Sequence, residues 1–128
     1  MYVTDTHSFV WFLTQNSSLS KKAREIFKSV ELGKDTIIIP IIVLLEILYI
    51  CEKKKVGLEF DRVKEKLYSS KNYFVLELDF ETLLEVENLK KLGSLHDRCI
   101  VAVAKTRNFP LISKDEEIKN SGYVEVIW

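Results

Sequence analysis

Thr36-Ile37-Ile38-Ile39-Pro40-Ile41-Ile42-Val43-Leu44-Leu45-Glu46-Ile47-Leu48-Tyr49-Ile50 is the stretch on which the fold turns. Its apolar run, Ile37 to Ile50, has 14 residues. That is too short for a membrane span and is interrupted by Pro40 and Glu46. The β-branched Thr36 to Ile39 reads as a strand, and Pro40 suits the first turn of a helix that continues to about Lys55. A strand entering a helix directly, both apolar, is the unit of a sheet covered by helices.

The same alternation continues on either side. Upstream, Tyr2-Val3-Thr4 reads as a first strand ending at Asp5. Ser8 to Leu13 then forms a short apolar helix, and Ser20 caps a helix over Lys21 to Leu32, with Ala23, Ile26, Phe27 and Val30 at helical spacing. Gly33 stops it. Downstream, a helix is expected from Glu59 to Ser70, a strand from Tyr73 to Leu78 and a helix from Phe80 to Leu92 closed by Gly93. A further helix spans Ser94 to Thr106, followed by a strand at Pro110 to Ile112, a helical turn at Asp115 to Lys119 and a strand at Val124 to Ile127. Strands alternating with helices predict a three-layer α/β/α arrangement around a parallel sheet, in one domain over residues 1–128.

Composition bounds the function. The 128 residues are 47% hydrophobic and 30% charged, with only four Gly and two Pro, which suits a regular globular fold rather than disorder. Lys plus Arg and Asp plus Glu number 19 each, so any basic surface is local. Cys51 and Cys99 make neither a disulfide framework nor a zinc motif, and no signal peptide is visible. A cytoplasmic protein is expected.

In an open parallel sheet, ligands bind beyond the carboxyl ends of the strands. Asp5 follows the first strand and Asp115 the fourth, while Asp97 opens the helix before the fourth. Each has an ordinary alternative as a helix cap, and Ser94-Leu95-His96-Asp97 matches a capping box. Glu46 does not. Its helix is apolar on every side, which predicts burial, and a buried carboxylate needs a cation or donors. The alternatives are one basic partner or a metal shared with the aspartates. Carboxylates with no His or Cys beside them would suit Mg²⁺ or Mn²⁺ and favour phosphodiester hydrolysis. No nucleophile elbow and no phosphate-binding Gly-rich loop competes. The metal reading requires all four acids to meet; Glu46 paired to a basic residue away from Asp5 and Asp97 would remove it.

Four segments in order carry a family resemblance: Val3-Thr4-Asp5-Thr6-His7-Ser8-Phe9-Val10-Trp11, Leu44-Leu45-Glu46-Ile47, His96-Asp97-Arg98-Cys99-Ile100-Val101-Ala102-Val103-Ala104 and Pro110-Leu111-Ile112-Ser113-Lys114-Asp115, with the tail Gly122 to Trp128. Together they resemble the PIN-domain nucleases, specifically VapC-type toxins, over the whole chain. The resemblance implies a sheet ordered 3-2-1-4-5 and an acidic, catalytic pocket. Asp5 and Asp97 would be the main Mg²⁺ ligands, completed by Glu46 and Asp115, with Ser113 and Thr6 supporting the pocket. It implies endonucleolytic cleavage of RNA, a small antitoxin that occupies the site, and a homodimer. Leu45 and the Glu116-Glu117 pair depart from the usual pattern.

Other residues invite a role. Arg98 could contact phosphate through its guanidinium. His7 and His96 read as structural, donating to backbone or orienting a neighbour, rather than as general bases, since neither has a partner motif. Lys21-Lys22-Arg24, Lys53-Lys54-Lys55 and Lys90-Lys91 could form an RNA track but for the most part read as solvated helix faces, and Trp11 and Phe12 as core or dimer contacts rather than base-stacking residues. Three other readings stay open: an RNA-maturation nuclease, a non-catalytic PIN-like interaction module, and a receiver-like domain with Asp79 as phospho-acceptor.

Overall fold

The computed structural model describes residues 1–128. Five strands alternate with helices, all paired in parallel: β1 (Tyr2–Thr4), β2 (Ile37–Pro40), β3 (Tyr73–Leu76), β4 (Leu111–Ile112) and β5 (Val126–Ile127). Their order across the sheet is β3-β2-β1-β4-β5. The helices are α1 (Thr6–Leu13), α2 (Lys21–Glu31), α3 (Ile41–Glu52), α4 (Phe60–Ser69), α5 (Phe80–Asn88), α6 (Leu95–Arg107) and α7 (Glu116–Ser121). The chain steps from β1 out to β3, then recrosses to β4. Right-handed crossovers therefore put α1 to α4 on one face and α5 to α7 on the other.

This order excludes the receiver-like alternative. A receiver needs its third strand beside the first, in the order 2-1-3-4-5. Here β3 is the outer edge, and Asp79 caps α5, accepting from the Thr82 N–H at 2.8 Å and lying 3.6 Å from the Arg107 guanidinium.

β2 is buried at all four positions, and Val3, Ile37, Ile39, Leu111 and Ile112 are sealed between the helical layers. A strand covered on both faces reads as a continuous apolar run, which is why Ile37 to Ile39 shows no alternation. No helix is long and apolar enough to cross a membrane.

Element ends moved where the backbone turned before the apolar pattern stopped. α3 stops at Glu52 rather than near Lys55, because Lys54 adopts a left-handed conformation (φ 51°). α5 ends at Asn88, yet Leu89 and Leu92 remain buried. They pack from a turn, so their apolar character extended the helix expectation to Leu92. β3 ends at Leu76, with Phe74 and Val75 exposed along the sheet edge.

The expectation that α3 is buried all round fails. Only Val43 and Ile47 are sealed, while Ile41, Leu45 and Tyr49 are 43%, 61% and 55% exposed. An outer-layer helix has one face against the sheet. Its other face stays open within a single chain, whatever its sequence, so here an apolar stripe meets solvent.

Candidate active site: an acidic cleft at the carboxyl edge

Three of the helices that begin at the carboxyl edge of the sheet each place an acid there. Asp5 leaves β1 and caps α1, one carboxylate oxygen accepting from the Ser8 N–H at 2.8 Å. Asp115 follows β4 and caps α7, accepting from the Ile118 N–H at 2.9 Å. The capping alternative is therefore true of both. It uses Oδ1 in each case and leaves Oδ2 for a ligand. Asp97 differs: Ser94 Oγ caps α6 by accepting from the Asp97 N–H at 3.2 Å, so the aspartate side chain is not spent on the cap. The positive ends of the three helix dipoles partly offset the gathered negative charge.

These acids line one cleft of about 510 Å³ together with Glu46, Thr6, His7, Trp11, Ser94, His96, Ile100 and Lys114. All four sequence-predicted acids are thus brought together. Burial pushes the Asp97 carboxyl above the usual 3.8, and the charges of Asp115, Asp5 and Glu46 push it further, against the opposing effect of His96. No lysine or arginine pairs with Asp5, Asp97 or Asp115.

Glu46 has a basic partner, His96, whose Nε2 lies 2.5 Å from its Oε2. The partner stands in the cleft itself, beside Asp97. The expectation that no histidine accompanies the carboxylates is wrong: His7 and His96 both line the cleft, and Thr6 Oγ1 lies 3.4 Å from His96 Nε2. His96 has a carboxylate partner, against the expectation of a histidine without one. The hydrogen bond from His96 holds Glu46 below the usual carboxylate range, and the same bond raises His96.

The pair sets a pH dependence. His96, raised in the fold, contributes stability that is complete below its ordinary value of 6.5 and lost as pH rises through its folded value. Glu46, lowered in the fold, contributes stability present above 4.5 and lost as pH falls. With only two histidines in the chain, proton NMR resolves the consequence directly. His96 is expected to titrate above 6.5 in the native protein and to fall back toward 6.5 in Glu46→Gln. A titration unmoved by Glu46→Gln would break the pairing.

Two support residues lie outside the cleft. Ser113 is buried, and its Oγ accepts from the Asp115 N–H at 3.1 Å, shaping the turn into α7 without lining the cleft. Arg98 turns away: its Nε donates to the Leu92 carbonyl at 2.7 Å, so it holds the turn before α6 and does not reach the cleft. Sequence reading missed Trp11 and Lys114 as cleft residues. The signal available was helical spacing, since Trp11 lies four positions after His7 on α1.

No three His, Cys, Asp or Glu side chains stand together at metal-ligand spacing. An ion here would be held by two carboxylates and water, the way Mg²⁺ is usually held. The donor chemistry fits such an ion: carboxylate oxygens without thiolate, unpaired by lysine or arginine and mutually repelling.

A family model described as PIN domain matches residues 2–122. A search of curated protein sequences finds no match. Among solved structures, the chain is similar to FitAcB from Neisseria gonorrhoeae, with 16% identity, 100% and 97% of the two chains covered and a TM-score of 0.74. It is similar to the sarcin-ricin loop cleaving toxin VapC20 from Mycobacterium tuberculosis, with 14% identity, 98% of both chains covered and a TM-score of 0.74. It is also similar to VapBC2 from Rickettsia felis, solved with a promoter DNA fragment, with 17% identity, 99% and 98% covered and a TM-score of 0.71. At these identities the likeness is one of fold.

Proposed function

The chain belongs to the PIN-domain family, and from that premise we propose that it is a Mg²⁺-dependent endoribonuclease, the toxin of a cytoplasmic toxin–antitoxin pair. The observation that carries this reading is the cleft's uncompensated charge. Asp97 is held above its ordinary range first by burial and then by the charges of Asp115, Asp5 and Glu46, and no lysine or arginine neutralises the three aspartates. Such a cluster is relieved by a divalent cation, and Mn²⁺ would substitute for Mg²⁺.

Asp5 and Asp97 are the proposed principal ligands, with Glu46 and Asp115 completing the site through water. A bound ion would supply an activated water and charge stabilisation for the leaving oxygen. The chain's own groups do the positioning. Capping bonds from Ser8 N–H and Ile118 N–H fix Asp5 and Asp115, and His96, itself beside Thr6 Oγ1, fixes Glu46. Lys114 and the three helix N-termini attract a phosphate that the acids alone would repel.

The toxin assignment rests on the fold, which recurs in a toxin–antitoxin complex from Klebsiella pneumoniae (TM-score 0.72, 17% identity). A small antitoxin occupying the cleft is the proposed partner. The exposed stripe Ile41, Leu45 and Tyr49 fits the expected homodimer, since an apolar surface of that kind favours burial against a second chain.

Incubation with single-stranded RNA tests the reading. Cleavage is expected with Mg²⁺ or Mn²⁺ and none with EDTA, and a short antitoxin should co-purify with the protein. RNA left intact in the presence of metal would reject the nuclease. Cleavage without any antitoxin would leave an RNA-maturation enzyme.

A further inference from the structure

Trp11 and Lys114 share the acidic cleft, yet neither has a place in the metal chemistry. Trp11 is half-buried on α1, its ring held by the His7 ring at 5.6 Å and by Trp128, edge-on, at 5.9 Å. Lys114 is exposed and stands among four acids without pairing to any of them. Its ammonium instead lies over the Trp11 ring, 5.8 Å from the centroid.

Resting on the ribonuclease reading, we propose that Trp11 is the stacking platform for a nucleobase next to the cleaved phosphate, with Lys114 as its partner for the adjoining phosphate. A positively charged chain over an indole face marks a face that is reachable from the cleft and attractive to a flat or cationic group. A flexible lysine yields that face readily. When a base takes its place, the ammonium is released beside a phosphodiester, where its charge is more useful. The indole itself is braced by His7 and Trp128, so little ordering is lost on binding. Single-stranded RNA is commonly held by bases stacked on aromatic rings, which tolerates any base and adds affinity per nucleotide. A tryptophan serving the core alone would need no free face toward an acidic cleft.

The chain has two tryptophans, and both belong to this cluster, so intrinsic fluorescence reports on it directly. Binding is measured in an Asp97→Asn background, which keeps the probe intact. Two probes are compared with Mg²⁺ present: a short single-stranded oligoribonucleotide and an abasic ribose-phosphate chain of the same length. RNA should quench the emission and the abasic chain should not. Trp11→Leu should weaken RNA binding by roughly five- to a hundredfold and leave the abasic chain unaffected. Trp11→Phe should keep most of the affinity, and Lys114→Met should weaken both probes.

Binding of RNA without base-dependent quenching, or equal losses on both probes in Trp11→Leu, would overturn the platform while the nuclease stands. Absence of RNA binding in every variant would overturn the platform, while RNA cleavage by the native protein with Mg²⁺ tests the nuclease separately. Should Trp11→Leu melt early, the quenching of the parent and the behaviour of Trp11→Phe decide.

Discussion

Asp97→Asn is expected to reduce RNA cleavage by roughly a hundred- to a thousandfold, the range for losing one electrostatic partner of a transition state, while raising the melting temperature of the metal-free protein. The two effects have one origin. The Asp97 carboxyl is pushed up first by burial and then by Asp115, Asp5 and Glu46. A carboxyl that holds its proton more tightly in the fold than in the unfolded chain favours folding only where that extra proton is bound. Its contribution therefore declines as pH rises from 3.8 through the folded value and is absent at neutral pH, where the ionised group repels its neighbours. The amide is nearly isosteric and neutral, so the repulsion goes and the fold gains a few degrees. Divalent cation should raise the melting temperature of the native protein and fail to raise that of the variant. Cleavage unchanged in Asp97→Asn would remove Asp97 from the site. A lowered melting temperature would mean that its carboxylate is satisfied by the protein.

The second large effect is the converse: a fold lost with every cleft residue intact. Phe27 on α2 is fully buried, its ring stacked on Phe12 at 4.5 Å and 9° and packed against Phe9 at 6.3 Å. Phe9 and Phe12 belong to α1, whose first turn Asp5 caps, so this aromatic stack anchors the helix that carries one side of the cleft. Phe27→Ala removes the middle of the stack and leaves a cavity that rigid neighbours only partly fill. The cost is about 3–5 kcal/mol, a large share of a total of about 5–15 kcal/mol. For a chain of this size that lowers the melting temperature by about 10–20 °C. Phe27→Leu keeps apolar volume and should recover most of the loss. Denaturant unfolding measures both; a loss under 1 kcal/mol in Phe27→Ala, against the figure above, would mean that the stack is not holding α1.

Much of the site could be read without coordinates. The meeting of Asp5, Asp97 and Asp115 in one cleft is legible because their positions are local facts: each lies at a strand end or in the first turn of a helix, and the carboxyl edge of a parallel sheet collects such positions. The strand order came from the resemblance, not from the residues, since nothing local to Tyr73 or Leu111 says which strand is its neighbour. Glu46 was singled out on a premise that failed. Its helix is apolar all round but not buried all round, and the acid is stabilised by His96, fifty residues away in sequence. Arg98, next to a key aspartate, points elsewhere because consecutive helical residues diverge by about 100°.

What the sequence by itself determined was the run of elements, the caps that begin α1, α2, α6 and α7, and the acidic character of one edge. These depend on neighbours within four residues or on a repeating period, and the chain carries that information directly. The tertiary structure decided which side chains share space, Glu46 with His96 and Trp11 with Lys114 and Trp128, and it left Leu45 largely exposed. Such meetings follow from how whole helices pack against a sheet. Packing adds many weak contacts spread along the chain, so no short segment records the outcome.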